Sequence, residues 1–261
     1  MRTEDGTISF EISGQGVPLV LVHGVGANLQ SWDGVCDELK DDFTLIRSDL
    51  RGHGNSAQIE PPYSVDRFAE DIIKVMDAAG VERAHLAGFS LGGLIAQKLA
   101  TAFPDRFDRI AILAAVAGRT EEERAKVVAR LKMIEDGGMP AITGAATDRW
   151  FTEDFARRHP EVIKRRVAEL EAVHLPSYME AYRVFGTTEL IDTLHRIDRP
   201  TLVLTGEFDQ GSNPRMARDM HQRIAGSELV ILPGLKHSIL VEASDIVASH
   251  LRDFFTRNMD N

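Results

Sequence analysis

Cysteine is nearly absent from this chain of 261 residues, which contains only Cys36. A single thiol cannot form an internal disulfide, which excludes the class of disulfide-stapled secreted domains. No apolar run approaches the roughly 20 residues that would span a bilayer. The opening MRTEDGTISF also lacks the apolar segment of a signal peptide. We therefore expect a soluble, cytoplasmic protein.

Positive charge is also scarce, since 30 Lys/Arg face 40 Asp/Glu and the formal net charge is −10. Phosphate binding needs clustered basic residues, so this charge argues against nucleic acid and anionic membranes as partners. Hydrophobic residues make up 43% of the chain and charged residues 27%, a balance typical of a folded globular protein.

Strand-like and helix-like patterns alternate along most of the chain. PLVLVHG, FTLIRSDL, AHLAGF and RIAILAAV are apolar runs of strand length, with amphipathic segments such as SVDRFAEDIIKVMDAAG between them. The alternation resumes late in the chain with PTLVLTG, SELVILPG and the closing helix SDIVASHLRDFF. This pattern predicts an α/β fold in which helices flank a mostly parallel central sheet.

The alternation is interrupted between residues 117 and 189. That stretch contains helix-forming segments such as EEERAKVVARLKMIEDGG and no strand-like run. Because the strand-like segments that follow the stretch are needed to complete the sheet, we interpret the stretch as an insertion between two strands and not as a separate domain. The predicted division is a core of residues 1–116 and 190–261 and a helical cap, or lid, of residues 117–189.

The segment GFSLGG places Ser90 between Gly88 and Gly92, where a strand pattern turns into a helical one. A nucleophilic serine on a sharp strand-to-helix turn needs small residues two positions away on each side. The first N–H groups of the helix then point at whatever the serine attacks. The alternative is a glycine-rich helix start packed closely on the sheet. We interpret Ser90 as a nucleophile.

A nucleophilic serine needs a base, and the base needs a carboxylate to orient it. Of nine histidines, His23, His53 and His237 follow strand ends, where chemistry gathers in open α/β sheets. We expect His23 and His53 to order their own turns, and His237, in the loop PGLKHSI, to be the base. The loop TLVLTGEFDQGSNP offers Glu207 and Asp209 as the acid, and Asp209 has the fuller reach.

An oxyanion hole would complete such a site with two backbone N–H groups that face the developing negative charge. One donor should be Leu91, directly after the nucleophile. The other should come from the HGVG loop after PLVLV, where Val25 is our candidate.

With these residues in place, the chain resembles the α/β-hydrolase superfamily over essentially its whole length. LVLVHGVGAN, SDLRGHGNS, LAGFSLGG, PTLVLTGEFD and GLKHSILVE occur in that family's order and approximate spacing. Within the superfamily the chain is most similar to the 3-oxoadipate enol-lactone hydrolases, through DLRGHGNS, GGMPAITGAATDRWFTEDFARRHPEV and PSYMEAYRVF. It departs from them where Glu242 is followed by Ala243 and Ser244 without the usual proline, and in its glycine- and asparagine-rich acid loop.

The resemblance implies a serine hydrolase that cleaves a small lactone or ester through Ser90, His237 and Asp209 and an acyl-enzyme, without metal or cofactor. A carboxylesterase, a carbon–carbon bond hydrolase or a perhydrolase on the same residues are alternatives. A ligand sensor with little turnover is an alternative from another functional class.

The predicted cap differs from the rest of the chain in charge. Residues 117–189 contain 12 Lys/Arg and 13 Asp/Glu, whereas the remainder contains 18 and 27. A cap that is far less acidic than the core would tolerate an anionic substrate, although solvated helix faces explain the same counts. Four cap residues are candidates for an apolar substrate pocket, or else for the packed interior of the cap: Trp150, Phe151, Met179 and Tyr182.

Overall fold

A seven-stranded sheet forms the centre of the computed structural model, which describes residues 1–257. Its strands are β1 Phe10–Gly14, β2 Val17–Val22, β3 Phe43–Ser48, β4 Ala84–Phe89, β5 Phe107–Leu113, β6 Thr201–Gly206 and β7 Glu228–Leu232. Their spatial order is β1-β3-β2-β4-β5-β6-β7, and β1 runs antiparallel to β3 while the other neighbours pair in parallel. The predicted α/β fold with a mostly parallel sheet is confirmed.

The helices surround this sheet and follow the capping signals in the sequence. They are α1 Asp33–Leu39, α2 Val65–Ala78, α3 Leu91–Ala102, α4 Glu121–Gly137, α5 Pro140–Trp150, α6 Glu153–Arg158, α7 Pro160–Glu171, α8 Leu175–Thr187, α9 Pro214–Arg223, α10 Ile239–Glu242 and α11 Ser244–Phe255. At the start of α2 the Ser64 side chain accepts a hydrogen bond from the Arg67 N–H, as an N-cap residue does.

Two apolar cores lie on opposite faces of the sheet. Residues of α2, α3 and α9, such as Phe68, Leu94 and Met220, pack on one face. Residues of α1 and α11, such as Leu39 and Phe254, pack on the other. Because both faces are covered, the central strands are continuously apolar, and every residue of β4 and β6 is buried.

The helices α4 to α8 fill the interval between β5 and β6. All of them except α6 contribute to an apolar cluster, built from Ile134, Met139, Ile142, Ala146, Leu170, Tyr178 and Tyr182. A capping box between Thr120 and Glu123 starts the first of these helices. The division of the chain into core and cap stays a prediction. Among residues 1–257, no helix combines the length and the apolar character needed to cross a bilayer.

Candidate active site

Ser90 lies on a sharp turn between β4 and α3, in a backbone conformation that few non-glycine residues adopt. Its φ is 57° and its ψ is −114°. A Cβ on Gly88 would come within 2.1 Å of the Gly92 carbonyl oxygen, and one on Gly92 within 2.1 Å of the Val22 oxygen. The Ser90 N–H donates to the Leu113 carbonyl at 2.9 Å, which holds the turn on β5. The two glycines are therefore steric requirements of this turn.

His237 and Asp209 meet Ser90 at the carboxyl end of the sheet. The His237 Nε2 lies 3.2 Å from the Ser90 Oγ, and its Nδ1 lies 2.5 Å from Asp209 Oδ2. The other carboxylate oxygen of Asp209 accepts the N–H groups of Gly211 and Ser212, each at 2.9 Å. Ser90 is 4% exposed and Asp209 is 3% exposed, so both ends of this chain of three side chains are buried, whereas the His237 side chain between them is 16% exposed.

Glu207, the alternative acid, lies in the same loop but is exposed. Its Oε2 accepts the N–H of Gly234 at 2.8 Å, in the turn that precedes His237. The structure therefore brings Asp209, and not Glu207, against the imidazole. Glu207 instead connects the loop after β6 to the loop after β7.

Two buried histidines, His23 and His53, connect the loop that follows β2 to the loop that follows β3. The His23 Nε2 lies 2.9 Å from the Leu50 N–H and accepts from it, and its Nδ1 lies 2.7 Å from the Gly24 carbonyl. The His53 Nε2 accepts the Gly26 N–H at 3.1 Å. Burial lowers the pKa of His23 to about 3 and also lowers the pKa of His53, so both rings are neutral at pH 7.

The proposed oxyanion donors lie on either side of Ser90. Val25 lies in the turn that His23 and His53 order, and it lines the cavity above the serine. Leu91 is the first residue of α3, where an N–H has no intrahelical acceptor. Within residues 1–257, neither the Val25 N–H nor the Leu91 N–H makes a hydrogen bond, so both are available to a ligand.

A cavity of about 130 Å³ opens above Ser90 and His237, beneath the helices between β5 and β6. Of the four predicted pocket residues, Trp150 and Tyr182 line it. Phe151 and Met179 do not line this cavity and lie instead in the packed interior, which was the alternative for these residues. Phe151 is 1% exposed and stacks on Phe155, while Met179 packs against the apolar cluster of α4 to α8.

Three arginines that the sequence did not single out also line this cavity: Arg130 on α4, Arg149 on α5 and Arg166 on α7. Arg166 forms an ion pair with Glu169. The only sequence signal for this group was the nearly balanced charge of residues 117–189. That count shows how many basic residues are present but not which of them face inward.

The loop that carries His237 is bonded to the end of α5 and the start of α6. The Lys236 Nζ donates to the Asp148 carbonyl at 2.6 Å, and the Ser238 N–H donates to the Trp150 carbonyl at 2.9 Å. Glu242, which is not followed by the usual proline, accepts the Thr152 N–H at 3.1 Å. These bonds fix the cavity wall relative to the imidazole.

Metal ligands are not gathered at this site. Within the described residues 1–257, no three His, Cys, Asp or Glu side chains converge in a way that could hold an ion. The polar residues that line the cavity are two tyrosines, three arginines and the residues around the serine: Tyr178, Tyr182, Arg130, Arg149, Arg166, Ser90, Asp209, Ser212, His237 and Ser238.

Comparisons with known proteins agree with this architecture. The family model for the alpha/beta hydrolase fold matches residues 17–137. The chain is 28% identical to 3-oxoadipate enol-lactonase 2 of Acinetobacter baylyi, over 89% of this chain and 87% of that protein. It is 29% identical to (E)-2-((N-methylformamido)methylene)succinate hydrolase of the same organism, over 92% and 91%. The crystal structure of the enol-lactonase from Burkholderia xenovorans superposes with a TM-score of 0.88 at 27% identity, covering 96% of each chain.

Proposed function

This chain belongs to the α/β-hydrolase superfamily, and from that premise we propose that it is a serine hydrolase that cleaves a small lactone or ester through Ser90, His237 and Asp209. The observation that carries the proposal is the continuous contact from the Ser90 Oγ through His237 to Asp209 at the floor of a cavity. The enol-lactonase relatives favour a substrate similar to 3-oxoadipate enol-lactone.

In this mechanism His237 Nε2 takes the Ser90 proton while the Oγ attacks the carbonyl carbon of the substrate. Asp209 accepts the Nδ1–H, which selects the tautomer whose Nε2 can act as a base and stabilises the imidazolium that forms. The carbonyl oxygen becomes an oxyanion that the Val25 and Leu91 N–H groups can bind. Collapse of this intermediate breaks the ester bond, and the proton on His237 passes to the leaving oxygen.

Water completes the cycle. His237 removes a proton from the water as it attacks the acyl-enzyme. Collapse of the second tetrahedral intermediate returns that proton to the Ser90 Oγ and releases the carboxylic acid, which ionises in water. Hydrolysis changes no oxidation state, so acylation and deacylation need no redox partner, and the residues at the site suffice for both. Since the strained turn already presents the Oγ to the cavity, the serine does not have to reorganise before attack.

Hydrolysis of 3-oxoadipate enol-lactone and 4-nitrophenyl butyrate by the wild type and Ser90→Ala tests the proposal. We expect turnover by the wild type and a loss of at least about 10³-fold in Ser90→Ala, because the nucleophile is removed. Ser13→Ala, on an exposed edge strand, is the matched control and should keep wild-type rates. Equal rates for Ser90→Ala and the wild type would rule out the proposed nucleophile.

The ratio of the two substrates separates the enol-lactone hydrolase from a carboxylesterase on the same residues. A kcat/KM for the lactone well above that for the ester supports the lactonase. Turnover of the ester alone retains the mechanism and changes the substrate to a carboxylic ester. A single turnover followed by a stable complex would indicate the ligand sensor instead.

A further inference from the structure

Two of the arginines at the cavity have no charge partner. Within residues 1–257, no carboxylate lies within 4.0 Å of the Arg130 or Arg149 guanidinium, whereas Arg166 is paired with Glu169. The Arg149 Nη2 is buried and has no hydrogen-bond acceptor. A cationic nitrogen that is buried without an acceptor lowers stability, so Arg149 is costly for the free protein.

The two guanidinium groups also act on one another. Burial, and then the nearby positive charge of Arg130, lowers the pKa of Arg149 to about 10, so the side chain stays charged at pH 7. Arg130 faces the Tyr182 hydroxyl, and burial keeps the pKa of that phenol above its ordinary value. The phenol is therefore neutral and supplies no compensating anion. The cavity wall opposite Ser90 carries two uncompensated positive charges.

We propose that Arg130 and Arg149 form a carboxylate-binding subsite, and that the enzyme selects small substrates carrying a free carboxylate away from the bond that is cleaved. This inference rests on the proposed hydrolase function and assigns specificity to two residues that contact the substrate without taking part in bond cleavage. A carboxylate in the cavity that Arg130 and Arg149 line would place a negative charge beside both guanidinium groups, and it would separate two like charges with an opposite one.

The size of the cavity limits what such a substrate can be. Its volume of about 130 Å³ is close to that of the ~150 Å³ engineered cavity that binds benzene. A long acyl chain would not fit under Trp150 and Tyr182 without displacing them. The expected substrate is therefore a short chain or a single ring that presents the reacting carbonyl to Ser90 and its carboxylate to the arginines.

Two small esters that differ in charge test the subsite: monomethyl adipate, which has a free carboxylate, and dimethyl adipate, in which that group is esterified; proton release during hydrolysis measures both rates. We expect the wild type to prefer the anionic ester. Arg149→Gln and Arg130→Gln should each lower kcat/KM for the anionic ester by about 10- to 100-fold, the loss typical of a charged hydrogen bond. Hydrolysis of the neutral ester should stay within about 3-fold.

The controls separate a specificity role from a structural one. Arg157→Gln, which removes an exposed arginine paired with Asp154, should change neither ester. Arg149→Lys should recover part of the preference, because it keeps the charge and loses the planar pair of donors. Arg149→Gln should melt at or above the wild-type temperature, since it removes a buried group without a partner. A lower Tm together with equal losses on both esters would overturn the subsite.

Binding of adipate to Ser90→Ala, measured by calorimetry, keeps this inference distinguishable from the proposed function. If neither ester is hydrolysed but adipate binds, and Arg149→Gln in the same background abolishes binding, then the subsite stands and the proposed reaction fails. If both esters are hydrolysed equally by every arginine variant and adipate does not bind, then the reaction stands and the subsite fails.

Discussion

The two walls of the cavity are built in opposite ways. On the sheet side, Asp209 accepts three hydrogen bonds, and His237 lies in contact with both Asp209 and Ser90. On the helical side, Arg130 and Arg149 have no carboxylate within 4.0 Å among the described residues 1–257. The sheet side is complete without a ligand, whereas these two arginines of the helical side lack an anionic partner. The comparison suggests that the sheet side carries the reaction and the helical side the choice of substrate.

Asp209→Asn should have the largest effect, because it changes the most buried residue of the sheet side, the one that contacts the imidazole. The amide cannot accept the Nδ1–H as the carboxylate does, and it favours the wrong imidazole tautomer. We expect kcat to fall by about 10⁴-fold while the fold persists. Steady-state rates and circular dichroism on the same sample measure both effects.

Glu207→Gln is the matched control for Asp209→Asn, since Glu207 lies in the same loop and contacts Gly234 instead of the imidazole. Its kcat should stay within a few-fold of the wild type. An equal loss in both variants would mean that the loop, and not the Asp209 carboxylate, supports the reaction.

The sheet side was predictable from the sequence because strand ends fix positions. Ser90 follows β4, Asp209 follows β6 and His237 follows β7, so the parallel sheet brings all three to one edge. The sequence favoured Asp209 over Glu207 only through its fuller reach in the loop, since both lie directly after the same strand. The hydrogen bonds of Asp209 to Gly211 and Ser212 aim that carboxylate, and they depend on the folded loop.

The helical side was less predictable because nothing in a helix sequence fixes how the helix rotates against a separate sheet. Trp150 and Phe151 are adjacent, yet one lines the cavity and the other stacks on Phe155. Arg149 lies beside them in a helix whose apolar and polar positions form no clear stripe. Its inward orientation results from contacts among several helices, so its role emerges only from the structure.

Replacing glycine by alanine should have opposite effects on the free energy of unfolding on the two sides of the cavity. In Gly92→Ala the new methyl group would meet the Val22 carbonyl at 2.1 Å, so β2 or α3 must shift. We expect a loss of about 1–3 kcal/mol or more. In Gly144→Ala, on α5, the methyl group meets nothing within 4 Å, and a gain of about 0.5–1 kcal/mol follows from helix propensity. Urea unfolding measures both, and a stable Gly92→Ala would contradict the steric account of the turn.

Acid should also weaken the sheet side, through His23. Folded His23 binds a proton only near its pKa of about 3, whereas the unfolded residue binds one near 6.5. The unfolded state therefore holds more protons in this window, and stability falls as the pH drops below about 6.5. The expected loss from His23 is ~2 kcal/mol at pH 5. Urea unfolding at pH 7.5 and 5.0 should show that His23→Gln loses less free energy of unfolding between these pH values than the wild type or the exposed control His195→Gln. Equal losses in all three proteins would exclude His23 as the source.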